Sequence, residues 1–242
     1  MVDEYEVMGE FHDLFMRDAW ERLRPALVGA FGRLGPGDAV LDLGAGSGVG
    51  TRLLSEVCAA QVVAVEPSLV HRAILTARVA DDARLSRQVT VLEGRVPEAI
   101  RDPAVARRRY AGFVCAHMLG HLSSADRVAT FEAVGGVLAP GAVGLVTVAP
   151  DAGLDQAATY DDLTEERALG ELRYVARYVP EGDAGAYTSV YEVYDGDRLL
   201  RTERVTGSFE AVDAARLEAE LPGTGLSVAD RPVTGVVLVR KD

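Results

Sequence analysis

The stretch that decides the fold is Val40 to Gly50, VLDLGAGSGVG, in which a short apolar run leads into glycines at every second position and then into helical spacing. Glycine at positions 44, 46 and 48 lets the chain turn sharply and lets a ligand approach the backbone amides at the start of the following helix. A dinucleotide fold wants G-x-G-x-x-G, but counting from Gly44 and Gly46 puts Val49 at the third place, and Gly48 arrives one residue early. One strand later, VVAVEPS places Glu66, followed by Pro67, where a carboxylate can accept hydrogen bonds from two ribose hydroxyls. A glycine-rich turn with no ligand and a nicotinamide site stand beside this as alternatives.

Outward from the turn, short β-branched runs alternate with segments of helical spacing, the pattern of βαβ units and a parallel sheet. Strands are expected at Ala39 to Leu43, Gln61 to Glu66, Gln88 to Glu93, Tyr110 to Cys115 and Ala142 to Ala149. Helices are expected near Val49 to Val57, Pro67 to Ala80, Asp102 to Arg108 and Ser124 to Leu138, the last ended by Pro140-Gly141. Phe11 to Phe31 is apolar at helical spacing, and Pro25 predicts a break in it, so one or two helices should lie over the sheet. After Ala149 the pattern changes: Leu172 to Val179, Tyr187 to Tyr194 and Leu199 to Phe209 predict an antiparallel meander, its second pair turning at Asp195-Gly196. A helix at Val212 to Leu221 and a strand pair, Leu226 to Ala229 and Val233 to Arg240, follow. The expected class is α/β: a Rossmann-like, doubly wound, mostly parallel sheet with an antiparallel β insertion acting as a lid. It reads as one domain over residues 1–242, with a helical cover (1–34), a cofactor-binding core (35–150), the lid (165–210) and a final helix and strands (211–242).

The 242 residues are 48% hydrophobic and 26% charged, enough to bury a core without metal or disulfide staples. A net charge of −12, from 37 acidic and 25 basic residues, repels phosphate backbones and argues against a nucleic-acid partner. Cys58 and Cys115 lie far apart without metal-ligand spacing, so neither a disulfide framework nor a metal is expected. The opening MVDEYEVM is acidic where a secretory signal would be basic, and no stretch reaches the ~18 apolar residues of a membrane span. The expectation is a cytoplasmic protein with a small-molecule substrate and no membrane partner; nothing in the sequence sets its oligomeric state.

The glycine motif and the acidic strand end together resemble the class I S-adenosylmethionine-dependent methyltransferases, over roughly Phe11 to Ala149 and the final strands. The resemblance implies that Asp42, Gly44, Gly46 and Gly48 surround the methionine part of S-adenosyl-L-methionine, or of S-adenosyl-L-homocysteine, and that Glu66 holds its ribose. Ala45, Pro67, Gly94, Arg95, Val96 and Cys115 complete the expected cofactor contacts. Two positions depart from the family pattern. LEGRV has Arg95 where a carboxylate usually meets the adenine amino group, which leaves adenine to backbone groups or stacking, and YAGFVC has Ala111 where a structural aspartate is common. No N-P-P-Y or D-P-P-Y follows Cys115, against methylation of nucleobase amines.

For chemistry, the loop CAHMLGHLSS supplies His117 and His121 at i, i+4, which share a face if the loop turns helical. Either could take a proton from a substrate hydroxyl, or could be a hydrogen-bonded structural histidine. The run Tyr5 to Trp20 is similar to the amphipathic cover of small-molecule members of the family; Phe15 and Trp20 are expected in the core, and Tyr5 and His12 at the ligand. In the meander, Tyr174, Ala176 and Tyr178 share one strand face, and Tyr187, Ser189, Tyr191 and Val193 share a face of the next. Tyr178 and Tyr191 suit a substrate roof, or plain cross-strand packing. The expected activity is transfer of a methyl group to a small, largely apolar, natural-product-like acceptor. A methyltransferase-like cyclase that keeps the cofactor unreacted and a non-catalytic cofactor-binding module are the alternatives.

Overall fold

The computed structural model describes residues 4–149, 164–181 and 186–242. A seven-stranded sheet forms its centre, in the order β10-β11-β5-β4-β1-β2-β3. The strands β1 (Ala39–Leu43), β2 (Gln61–Glu66), β3 (Val89–Glu93), β4 (Tyr110–Cys115) and β5 (Leu138–Thr147) are parallel, whereas β10 (Leu226–Val233) and β11 (Val236–Lys241) add an antiparallel edge. Every residue of β1 is buried, as a central strand covered on both faces requires. Val40, Val62 and Val114 face Trp20, Leu27 and Phe31 of the first helix and Leu53 and Leu54 of the second, while Leu41, Val63 and Phe113 face Phe131, Val134 and Leu217 on the other side. The order of connection reverses between β1 and β4, so the loops leaving these two strands open a crevice at the carboxyl ends of the sheet.

Helix α1 (Glu4–Phe31) is a single helix through Pro25, contrary to the expected break. Pro25 and Glu21, whose carbonyl loses its usual donor, both lie on the exposed side, and Leu23, Ala26 and Leu27 anchor the helix on either side of the fault. The helices α2 (Val49–Val57) and α3 (Leu69–Asp81) fall where the spacing placed them, within two residues. A short turn, α4 (Leu85–Gln88), precedes β3, and the Gln88 side chain donates to the carbonyls of Cys58 and Ala60 at 2.9 and 2.7 Å, which takes it out of the expected strand. The helix expected at Asp102 to Arg108 is the short α6 (Pro103–Ala106), and another short helix, α5 (Glu98–Arg101), precedes it outside the expected range. The next helix, α7 (Ser124–Val137), ends before Pro140 and Gly141, which already belong to β5.

The lid is a four-stranded antiparallel sheet rather than a three-stranded meander: β6 (Thr164–Leu169), β7 (Leu172–Pro180), β8 (Ala186–Asp195) and β9 (Arg198–Ser208). Its β6, TEERAL, escapes an apolar reading because it is an edge strand, four of its six residues are exposed and the other two are charged. After α8 (Ala214–Glu220), capped by Asp213, β10 runs through the expected turn at residues 230–232 and reverses only after Val233. As the outermost strand it tolerates Pro232 without a lost ladder bond, and register shifts absorb the irregularity. None of the described helices is long and apolar enough to cross a membrane.

Candidate active site

The three glycines of the β1–α2 turn all adopt left-handed backbone angles, with φ of 64°, 56° and 86° at Gly44, Gly46 and Gly48. Their surroundings differ. A Cβ on Gly44 would stand 3.0 Å from Sδ of Met118, and one on Gly48 only 2.4 Å from Cδ1 of Leu75, so both positions are filled by protein. On Gly46 a Cβ would meet only His12, at 3.5 Å. Gly46 is therefore the one of the three with space beside its Cα, against the His12 ring.

The adjoining carboxylate is held in place by backbone amides. Gly46 N–H donates to one oxygen of Glu66 and Ser68 N–H to the other, each at 2.8 Å, and the side chain is buried. The two amides, one on each oxygen, fix the orientation of the Glu66 carboxylate at the end of β2. Arg72 holds the carbonyls of Glu66 and Pro67 at 3.2 and 2.8 Å, fixing the strand end from outside. Asp42 is engaged differently: it accepts from the Thr51 hydroxyl at 2.5 Å, tying β1 to α2, and burial together with the charge of Glu66 pushes its pKa up to about 6. Ala45 is buried, its N–H bonded to the carbonyl of Val65. Cys115, level with Leu43 on the next strand, is fully buried, and burial pushes its thiol up to about 12, so it offers shape rather than a thiolate.

The N-terminal helix closes over this turn. Asp13 accepts from Arg78 of α3 at 2.5 Å, and the same guanidinium donates to the carbonyl of Ser47 at 2.6 Å, so one arginine clasps α1 to the glycine turn. His12, one residue away, lies against His71 of α3 with ring centroids 4.7 Å apart, and His71 Nδ1 is 3.9 Å from Glu66. Burial, with His71 beside it, lowers the pKa of His12 to about 3. Tyr5 belongs to the first turns of the same helix, and its side chain lies outside the described residues.

The loop after β4 does not form the helix that would stack the two candidate histidines. It makes a 3-10 turn at Leu119–His121, and His117 sits in the left-handed region at φ 59°, its N–H held by the Thr147 hydroxyl at 2.7 Å. The rings part company: His117 meets the edge of Trp20 at 5.5 Å, and His121 meets Phe209 of the lid at 5.3 Å. Protein crowding around His117 and the positive charge of Arg22 lower its pKa. Buried Arg127 fastens this loop, donating to Leu122 O and Glu210 at 2.7 Å and to Glu220 at 2.8 Å, while Glu210 N–H bonds the Gly120 carbonyl.

In the lid the expected tyrosine faces register as Ala176 opposite Tyr191 and Tyr178 opposite Ser189. Tyr191 is buried and stacked on Phe11 at 4.7 Å and 15°, and Met8, Phe15, Val193 and Val205 complete that cluster, so lid and α1 share one small core. Burial beside Tyr191 raises the Tyr178 phenol, which stays protonated. Of the expected adenine loop, Gly94 packs against Ala99, Val96 lies on the main core, and the Arg95 side chain is exposed. Sequence reasoning passed over His71, Arg78, Met118 and Arg127. His71 alone carried a usable signal, being in the first turn of the helix that leaves Glu66.

Residues 40–141 match the family model for a methyltransferase domain. No curated protein matches the sequence significantly. Among solved structures, the CcbJ methyltransferase from Streptomyces caelestis superposes with a TM-score of 0.72 at 17% identity, covering 98% of this chain and 97% of that one. CalS10 with bound S-adenosylmethionine, an amino pentose methyltransferase from Micromonospora echinaspora, gives 0.69 at 16% identity over 100% and 98%. The sugar N-methyltransferase KedS8 from a Streptoalloteichus species gives 0.67 at 18% over 96% and 93%. At such identities the likeness is one of fold, and its coverage takes in the lid as well as the parallel core. The glycine turn and the clamped acid at the end of β2 both lie within the stretch that matches the methyltransferase-domain model, and the fold around them is that of S-adenosylmethionine-dependent methyltransferases.

Proposed function

We propose that this enzyme transfers the methyl group of S-adenosylmethionine to a small, natural-product-like acceptor seated between the loop after β4 and the lid, with a neutral amine as the attacking group. The observation that carries the proposal is the asymmetry of the glycine turn: Gly46 alone of its three glycines has space beside its Cα, next to a Glu66 carboxylate clamped at 2.8 Å and against the His12 ring of α1. The residues present fit the cofactor, which supplies an already electrophilic sulfonium methyl; Glu66 receives the ribose hydroxyls, and the turn at Gly46 admits the chain that bears the sulfur. What the protein adds is alignment and exclusion of water. The clasp of Asp13, Arg78 and Ser47 holds α1 down, and the aromatic cluster holds the lid to α1.

The choice of an amine rests on the histidines. Both His12, at about 3, and His117 are pushed below their ordinary range, and the Tyr178 phenol above its own, so these groups are weak bases for a hydroxyl at neutral pH. An amine in its neutral form makes the least demand on such a site. CalS10 and KedS8, named for an amino pentose and for sugar N-methylation, share the fold. The test is incubation with S-adenosylmethionine and a panel of matched amino and hydroxy sugars and aglycones, read by product mass. A gain of one methylene on the amino members supports the proposal. Methylation of the hydroxy members alone overturns the amine, and an acceptor converted at unchanged mass overturns transfer in favour of cyclisation.

A further inference from the structure

We propose that His12 recognises the amino-acid end of the cofactor, its α-ammonium or α-carboxylate, through the buried ring nitrogen Nδ1. This rests on the methyltransferase reading of the site. His12 Nδ1 is buried without a hydrogen-bond partner, a costly state that a polar ligand group relieves. The ring lies directly over the open glycine, with Cε1 3.5 Å from where a Cβ of Gly46 would stand. That place is also fixed. The next residue, Asp13, and the carbonyl of the residue after Gly46, Ser47, are held by the two arms of one guanidinium, so the backbone beside His12 and the backbone beside Gly46 move together.

The chemistry suits a zwitterion. A neutral imidazole accepts at one nitrogen and donates at the other, so Nδ1 accepts from an ammonium in one tautomer and donates to a carboxylate in the other. Burial keeps the ring neutral at pH 7, which leaves both choices open without placing a second full charge in the crevice. The ribose has its own partner in Glu66, which is held by the Gly46 amide. His12 then brings a polar side chain of α1 to the amino-acid end, and α1 takes part in cofactor recognition besides covering the turn.

Calorimetric titration with S-adenosylhomocysteine and with 5′-methylthioadenosine, which keeps the adenosine and the sulfur but lacks the amino-acid end, tests this on wild type, His12→Phe and His12→Asn. Phenylalanine keeps a ring against His71 and removes the nitrogen; asparagine keeps a polar atom near Nδ1. The expected result is a loss of about tenfold or more for S-adenosylhomocysteine in His12→Phe, the scale of one hydrogen bond to a charged group, with methylthioadenosine changed less than about twofold. In His12→Asn most of the preference for S-adenosylhomocysteine returns. Equal weakening of both ligands in His12→Phe, or no weakening of either, overturns the assignment and makes His12 a packing residue. A wild type that binds S-adenosylhomocysteine no better than methylthioadenosine overturns it as well, whereas a wild type that binds neither brings down the methyltransferase reading itself.

Discussion

The two walls of the crevice are built by different means. On the glycine side, each of these contacts has a backbone group at one end: the amides of Gly46 and Ser68 hold Glu66, and the guanidinium groups of Arg78 and Arg72 hold the carbonyls of Ser47 and of the strand end. On the lid side, side chains meet side chains: Phe11 on Tyr191, Arg167 to Asp18 at 2.6 Å, Arg201 to Glu10. Backbone contacts survive most substitutions and fix one geometry, while aromatic stacks and exposed ion pairs repack at low cost. The first wall suits a ligand that never changes, and the second suits an acceptor that differs from one enzyme to the next.

The largest effect should come from breaking the first wall at Gly48. Valine there must adopt φ of 86° with its Cβ 2.4 Å from Leu75, and we expect a loss of about 3–5 kcal/mol, from backbone strain and overpacking together, seen as a collapse of the thermal transition. Tyr191→Ala should cost about 2–4 kcal/mol by emptying the shared core of lid and α1, and in the folded fraction it should raise the acceptor KM far more than the cofactor Kd. Steady-state kinetics with each ligand varied in turn checks that split.

A pH series separates the walls further. The pKa of His12 is lowered to about 3 and that of His117 is lowered as well, so the stability they contribute is complete above about 6.5, the unfolded value, and is lost as pH falls from there toward their folded values. Asp42, raised to about 6, has the opposite sign and gains stability as pH falls from about 6 toward 4. Two histidines against one aspartate predict a melting temperature that drops between pH 7 and pH 5, and the drop should shrink in His12→Phe. The smallest effect is expected at Arg201→Ala, an exposed pair with Glu10 whose loss should change stability by less than about 1 kcal/mol in a denaturant titration.

How far the sequence foretold this molecule follows the same division. Ala39–Leu43, Gln61–Glu66 and Tyr110–Cys115 are legible to the residue, because buried parallel strands are apolar runs bounded by turns. Thr164–Leu169 is not, because an edge strand has little to bury, and the helix through Pro25 is not, because tertiary contacts on both sides outweigh one missing hydrogen bond. Gly46 and Glu66 were legible as a pair, since both the spacing and the strand end are local features. The Asp13–Arg78–Ser47 clasp joins residues 65 and 31 positions apart, and no local pattern announces a contact of that kind. The paired histidines failed for a related reason: i, i+4 spacing has meaning only on a helix, and Gly120 is crowded by Phe209 and Glu210 into a tighter turn.

The most direct test of the central claim is calorimetric titration of S-adenosylhomocysteine into wild type, Glu66→Ala and Tyr191→Leu. Binding in wild type, a loss of about tenfold or more in Glu66→Ala and a change of less than about twofold in Tyr191→Leu is the predicted result, because one substitution removes a clamped acceptor and the other only reshapes the roof. Unchanged affinity in Glu66→Ala, or an equal loss in Tyr191→Leu, would contradict the account.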